Sequence, residues 1–462
     1  MIDIDGARLT LAQIADTAAG NSTVLVTDNA MARTRESRDF AERVGAERPI
    51  YGRSTGVGAN RVLSLTDPDA QALDLLRSHA TSAGPLRAPE RVRAMLLVRL
   101  NQLAAGNCGI EPAVLTALAA MINSDSLPPV RELGSIGTGD LSALAVTALA
   151  LHETVPFGRG DALPFLSSNA ATIADAALAL NDLRTLARST MVIAAASFDG
   201  VRGNPEAFST AVEHVTPFDG ARTVCRTMRG LISATHEPAR IQDPFAVRTL
   251  PQVHGAMLDA LDQLEIVILG MANAGSENPT LSPEFGVAHH GGFHAARLAQ
   301  ALDLVKLATA QTSQLSLARL TMLDEPALTG LAPFLSNDTP GASGTMIAEY
   351  VSASALAHLR ALATPASLQT VTLSRGVEED ASFASLAAKQ ALEMVALYRT
   401  VLASELLAGV RCARQQAEQT SVPLSATLEI CRALPDDTAD RDLTADIAIA
   451  EGLVDGLANL TQ

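Results

Sequence analysis

Residues 134–151 read GSIGTGDLSALAVTALAL, a cluster of glycines that opens directly into an apolar run. Gly134, Gly137 and Gly139 give the backbone a tight turn, because glycine alone visits left-handed φ without steric cost. Asp140 then stands where a helix N-cap would, and Leu141–Leu151 is rich in Ala and Leu, the best helix formers. A turn of this kind, feeding a helix apolar on all sides, marks a buried helix with its positive dipole end aimed back at the glycines.

Outward from this stretch the same grammar continues. From Asp69 to Ser124 the pattern is helical, interrupted by AGPLRAPE and AAGNCGIEP. Toward the N-terminus lie short apolar runs such as TVLVT and a second glycine-dense loop, Tyr51-Gly-Arg-Ser-Thr-Gly-Val-Gly. Beyond about residue 170 long helical patterns dominate. Leu298, Leu302 and Val305 share one face, as do Leu386, Leu392, Val395, Leu402 and Leu406. The expectation is a mostly α protein with a long helical bundle and a smaller N-terminal part carrying active-site loops, residues 1–190 against 191–462. No internal repeat or Pro/Gly/Ser-rich linker separates the two.

Composition narrows the function classes. Hydrophobic residues make up 48% of the 462-residue chain, but aromatics only 3%, with no Trp and three tyrosines, Tyr51, Tyr350 and Tyr398. The formal charge of −16 lacks the basic footprint of a nucleic-acid or anionic-membrane partner. The only lysines, Lys306 and Lys389, sit on helix-patterned segments with no polar partner evident, so Schiff-base chemistry is not expected. Cys108, Cys225, Cys412 and Cys431 are too scattered for a zinc or disulfide framework. The start MIDIDGARLT has no signal-peptide layout, and no apolar stretch approaches membrane-spanning length, so a cytoplasmic location is expected.

Seven segments coincide, in order, with one family. YGRSTGVGANR (51–61) resembles the YGxxTGFG loop of the histidine/phenylalanine ammonia-lyases, the aromatic amino acid lyase superfamily. LLRSHATSAGP (75–85) and VRLNQLAAGNCG (98–109) are similar to that family's LxxSHAxGxG and RxNxLxxGxSG. GSIGTGDLSALA (134–145) stands where the family reads GSVGASGDLAPLA. QDPFAVRTLPQVHGA (242–256) resembles QDPYSxRxxPQVxGA, and ENPTL (277–281) with GGFHA (291–295) resembles DNPL with GNFHG. PASLQTVTLSRGVEEDASF (365–383) is similar to PASxDSxxxSxxQEDHVSM.

The resemblance implies a homotetramer with composite active sites that removes an amine and a β-proton from an α-amino-acid-type substrate. In the family an internal Ala-Ser-Gly cyclises to methylidene-imidazolone (MIO), an electrophile that activates nitrogen. By position, Tyr51 is the general base, Arg248 the carboxylate anchor, His79 the contact to the substrate side chain, and Glu378 faces the amine. Gln242, Phe245 and Ser167 fall among the substrate-binding positions. Each has a plainer reading: packing for Tyr51, an ion pair for Arg248, a satisfied helix histidine for His79, solvation within the EED run for Glu378. An ordinary tyrosine pKa is about 10, so a basic or dipolar neighbourhood would have to lower that of Tyr51.

The departures cluster. GTGD is one residue shorter than GASGD, and Gly137-Thr138-Gly139 puts Thr at the serine position. Thr would give a more hindered alkene on dehydration, and the shorter loop removes part of the bend, so no MIO cofactor is expected. Phe245 replaces a tyrosine, Ser167 of Ser167-Ser168-Asn169 stands at the family asparagine, and Gly292 replaces the Asn of GNFH. Groups for proton removal and carboxylate binding persist, while those that activate nitrogen are eroded together. That asymmetry points to a leaving group that needs no electrophile, namely trimethylamine from a histidine betaine such as ergothioneine or hercynine, as in ergothionase-like elimination. The alternatives are a histidine-like ammonia-lyase or 2,3-aminomutase with a variant cofactor, and a non-catalytic binding homologue. His289, His290 and His294, with His254 and Asp243 upstream, are close enough in sequence to weigh as a metal site, but their segment matches a glycine turn that holds none in the family. No metal is expected.

Overall fold

The computed structural model describes residues 1–232, 237–416 and 422–461. The chain is mostly helical and divides into two compact units. The first gathers Met1–Asn181, Leu264–Asp303 and Pro365–Leu392; the second gathers Asp182–Gln263, Leu304–Thr364 and Glu393–Gln462. The boundary expected near residue 190 follows chain order, whereas each unit draws on three separate stretches. Four of the five dividing points fall inside a long helix, Ala170–Gly200, Leu250–Ala272, Ala296–Leu323 or Ala384–Gln415, and the fifth falls between Thr364 and Pro365, past the end of Met346–Leu362.

In the first unit local sequence explains most helix starts. Thr10 and Gln13 form a reciprocal capping box ahead of Leu11–Ala18. Asp67 caps Pro68–His79, and Pro at the first helical position also opens Pro89–Ala104 and Pro112–Asn123. Pro89–Ala104 is buried from Ala94 through Ala104 without a polar face, as is most of Leu141–His152. Three two-stranded sheets decorate this unit: Ile2–Ile4 parallel to Val24–Val26, Ala83–Leu86 antiparallel to Arg131–Leu133, and Thr280–Ser282 antiparallel to Gly286–Ala288.

Inside the core of the first unit lies an ion pair, Arg99 with Glu277, at 2.8 Å and almost wholly out of solvent. Arg99 also donates to the carbonyls of Phe165 and Pro164. Burying two charges is favourable only when geometry and extra hydrogen bonds offset desolvation, and here every arm of the guanidinium is engaged. The second unit holds a counterpart. Glu405 accepts from Arg319 through both oxygens, at 2.6 and 2.9 Å, and from Ser197 and Ser316.

Leu298, Leu302, Val305, Leu402 and Leu406 are buried as expected from their spacing. Leu386 is not: it lies in the first turn of its helix and is 38% exposed. Lys306 does have a polar partner, since its buried ammonium donates to the Thr364 carbonyl at 3.2 Å. Segment Ala162–Gly200 contains a window long and apolar enough to cross a membrane, contrary to the sequence reading, yet 94% of that window is buried inside the protein.

Candidate active site

A cleft of about 1160 Å³ opens in the first unit, somewhat larger than the usual small-ligand site. Tyr51, His79, Thr138, Ser167 and Glu378 all line it. These residues come from five segments spread over more than three hundred positions, and the fold brings them together.

Tyr51 is fixed at both ends. Its hydroxyl oxygen accepts the Gly58 N–H at 2.7 Å, and its backbone N–H donates to Nε2 of His289 at 3.2 Å. The His289 ring also meets the Tyr51 ring edge-on, 6.5 Å between centroids. Burial, helped by Arg48 and His290, pushes the His289 pKa down, which suits its role as a neutral acceptor. The Tyr51 phenol itself runs against expectation. Burial pushes its pKa above the ordinary 10; the Gly58 N–H pulls it down, Glu378 pushes it up again, and Arg61 only partly compensates. The neighbourhood of this loop raises the base rather than lowering it.

His79 ends its helix with Nδ1 donating to the Leu75 carbonyl at 3.0 Å. A carbonyl only accepts, so this contact leaves Nε2 as the ring's acceptor. Glu378 lies on the 373–380 loop, which is stitched to the Tyr51 loop by the Ala59 N–H donating to Ser374 Oγ at 3.1 Å. With Glu379 and Asp380 it gives this side of the cleft three carboxylates, against the guanidinium groups of Arg61 and Arg375.

Opposite chemistry characterises the glycine turn. Gly137 and Gly139 have φ of +85° and +117°. A β-carbon on Gly137 would stand 2.1 Å from Ser382 Oγ, so no other residue fits there. The turn is tied down throughout: Ser382 Oγ donates to the Gly137 carbonyl at 2.8 Å, Phe383 N–H to that of Ile136 at 2.8 Å, and Ser385 Oγ to that of Ser135 at 3.0 Å. Asp140 does open the helix, but its carboxylate makes no cap. It turns instead to Ser135 Oγ at 2.6 Å and to the Thr172 amide and hydroxyl at 2.8 and 2.9 Å. Burial pushes the Asp140 carboxyl pKa up against the pull of these donors.

Sequence reasoning placed the family asparagine at Ser167. Ser167 accepts the Asn278 N–H at 3.0 Å, whereas Asn169 makes the amide contacts to the turn. Its Oδ1 accepts the Gly139 N–H at 3.1 Å and its Nδ2 donates to the Phe293 carbonyl. Asn169 was visible as the third residue of the Ser-Ser-Asn triplet, but nothing in the string says which of the three faces the turn. His290, weighed in the sequence only as a metal ligand, holds backbone instead. Its Nε2 donates to the Glu277 carbonyl, and its Nδ1 accepts the Gly292 N–H, both at 2.9 Å. Beneath these, Ser168 Oγ donates to Gln102 at 2.6 Å, so the Arg99–Glu277 pair and Gln102 support the segments that carry Ser167 and Asn278.

Gln242, Phe245 and Arg248 belong to the second unit. Gln242 is exposed, Phe245 is 65% exposed, and the Arg248 guanidinium stacks 4.5 Å from the Phe245 ring centroid. Arg248 Nε is buried without a hydrogen-bond partner. The histidines weighed as metal ligands are engaged separately: His254 lies in the second unit between Thr312 and the Ala187 carbonyl, His289 and His290 hold backbone, and His294 lies 3.4 Å from Asp380. Among the described residues no group of three or more His, Cys, Asp or Glu is arranged to hold a metal ion.

In the first unit the tyrosine-bearing glycine loop and the second glycine turn line one cleft, and comparison with known proteins gives the family. The family profile for aromatic amino acid lyases matches residues 9–154 and 150–433. The chain belongs to that family and is a carbon–nitrogen lyase. It is 32% identical to histidine ammonia-lyase from Stigmatella aurantiaca over 98% of this chain and 96% of that one. It is 33% identical to histidine ammonia-lyase from Symbiobacterium thermophilum, over 89% and 87%. The structure superimposes on the ergothioneine-degrading ergothionase from Treponema denticola with a TM-score of 0.92 at 24% identity, covering 99% of each chain.

Proposed function

We propose that this lyase eliminates trimethylamine from a histidine betaine, such as ergothioneine or hercynine, to give an α,β-unsaturated acid without an MIO cofactor. The observation that carries the reading is the pairing of Tyr51 and Glu378 in one cleft with a turn whose side chain at the electrophile position is Thr138. Tyr51, as phenolate, takes the β-proton; the C–H electron pair becomes the new double bond, and the Cα–N pair departs with a neutral amine. A quaternary ammonium needs no electrophile to leave, and Glu378 with its acidic neighbours suits a fixed cation. His79, with Nε2 free to accept, faces the ring, and Arg248 holds the carboxylate.

The residues at 137–139 do not fit MIO. Dehydrated Thr138 would carry an extra methyl on the electrophilic carbon, and the loop is one residue short. The Gly139 amide nitrogen, which would have to attack the Gly137 carbonyl, is committed to Asn169. No step is therefore routed through an electrophile.

The same proposal includes a cytoplasmic homotetramer with composite sites. Its support is the outward-facing segment of the second unit, where Ile241, Gln242 and Phe245 are exposed beside an Arg248 that makes no ion pair among the described residues. Sedimentation as a monomer at micromolar concentration would contradict it.

The second reading is a histidine-type ammonia-lyase, favoured by relatives about one-third identical that carry that activity in their names. An elimination screen of histidine, phenylalanine, tyrosine, hercynine and ergothioneine, followed by ultraviolet absorbance of the product, separates the two. The trimethylated compound should react and its primary-amine counterpart should not. Equal or faster ammonia release, or an intact mass lower by two waters localised to 137–139, would restore the second reading.

A further inference from the structure

The candidate base and Glu378 are coupled through one glycine. Gly58 donates its N–H to Tyr51 Oη at 2.7 Å, and Glu378 Oε1 lies 3.4 Å from where a β-carbon on Gly58 would stand. A few contacts, mostly through backbone atoms, set the spacing. Leu373 N–H donates to the Glu378 carbonyl at 2.9 Å, Ser374 Oγ accepts from Ala59, and His289 holds the Tyr51 backbone. The charged or titratable groups acting on the phenol are Glu378 from the 373–380 loop and Arg61 from its own. Neutral His289 comes from the turn after Gly286–Ala288. Also lining the cleft are Glu379, Asp380 and Arg375 on the Glu378 loop, His79 on its helix and His294 on the 291–295 turn.

A phenolate beside a carboxylate is repelled, and burial penalises it again. Both effects act on Tyr51 and push its ionisation above that of an ordinary phenol, which is itself neutral at neutral pH. A ligand with a permanent positive charge reverses the balance. Seated against Glu378, it cancels the carboxylate's field and adds an attraction for the phenolate.

We propose that Glu378 makes Tyr51 a substrate-sensitive base: the carboxylate disfavours the phenolate until a fixed ammonium binds against it, and binding then raises the fraction present as phenolate at a given pH, its proton passing to solvent. The phenolate so formed takes the β-proton, and the amine leaves with the Cα–N electron pair, so Tyr51 is a phenol again after elimination, and binding releases up to one proton at pH values between the free and bound midpoints. This rests on the elimination reading above. It gives the raised base a use: at any pH the phenolate is scarcer in the empty site than in the occupied one.

The composition of the chain makes the test direct. There is no Trp, and of the three tyrosines Tyr398 is fully buried with its pKa pushed well up, so it ionises last. Subtracting a Tyr51→Phe titration from that of the assembled wild-type protein isolates the near-ultraviolet tyrosinate signal of Tyr51. Tetramethylammonium chloride should lower the midpoint by about one pH unit or more, as expected for an opposite charge at close range. Equimolar sodium chloride and the uncharged tert-butanol should not. In Glu378→Gln the midpoint of the empty protein should already be lower, and tetramethylammonium should move it less. A wild-type midpoint unmoved at every tetramethylammonium concentration, or equal midpoints in wild type and Glu378→Gln, overturns the proposal. Turnover undiminished in Tyr51→Phe is a distinct result, which removes Tyr51 as the base and its substrate sensitivity along with it.

Discussion

Two walls of the cleft are built on opposite principles. The 134–140 turn is over-determined: left-handed glycines, side-chain donors from 382 and 385, the Asn169 amide and a buried Asp140 all fix the same few residues. The Tyr51 wall is held by a few contacts, yet it carries the proposed base, its carboxylate neighbour and most of the cleft's charge. Rigidity has stayed with the wall where the electrophile would be, while the groups for moving a proton sit on the other. A turn can thus keep its shape as a scaffold after its side-chain chemistry has changed, because its bonds run through backbone atoms that do not depend on which side chain sits at 138.

Substitutions can break this contrast. The largest effect expected is on rate: Tyr51→Phe should lower kcat roughly 10²–10⁴-fold, the usual worth of a general base, with thermal midpoint almost unchanged. If melting falls as much as in the turn variants below, Tyr51 is a structural residue and the two walls are alike. Arg99→Met leaves Glu277 buried and unpaired, which should cost about 3–5 kcal/mol of stability in denaturant titration. Its effect on kcat would follow from loosening the segments at Ser167 and Asn278. A smaller loss, about 1–3 kcal/mol, is expected for Asn169→Ala, since the buried Gly139 N–H loses its acceptor; a variant as stable as wild type would show that the turn is not pinned as described. Smallest and most diagnostic is pH. With the Tyr51 pKa raised in the free protein, kcat/KM should climb with pH through neutrality, at most about tenfold per unit while the phenol is mostly protonated. The alkaline rise in kcat, which reports the substrate complex, should finish at lower pH; a rise complete by pH 7 in kcat/KM contradicts the raised base.

Much of the fold was legible because helices announce themselves locally. Leu141–His152 and Pro89–Ala104 follow from their apolar runs and from a glycine turn or proline at the start. The five cleft residues were legible through motifs, each a short local string. What stayed hidden is pairwise and distant. Tyr51 meets His289 across 238 positions and Ser382 meets Gly137 across 245, and neither partner's segment signals the other. The direction of the Tyr51 pKa was not legible for the same reason: it depends on burial and on Glu378, which the loop's own residues do not contain. The three-residue strands are too short to show a period of two.

His290 and Gly292 constrain one another. The imidazole occupies the space a side chain at 292 would need, with a β-carbon there falling 2.7 Å from Nδ1. An asparagine at 292 would meet the ring unless the imidazole gives way, at the expense of the His290 contact with the Gly292 N–H, so the two positions are coupled: Gly292→Asn should be tolerated better together with a smaller residue at 290 than alone.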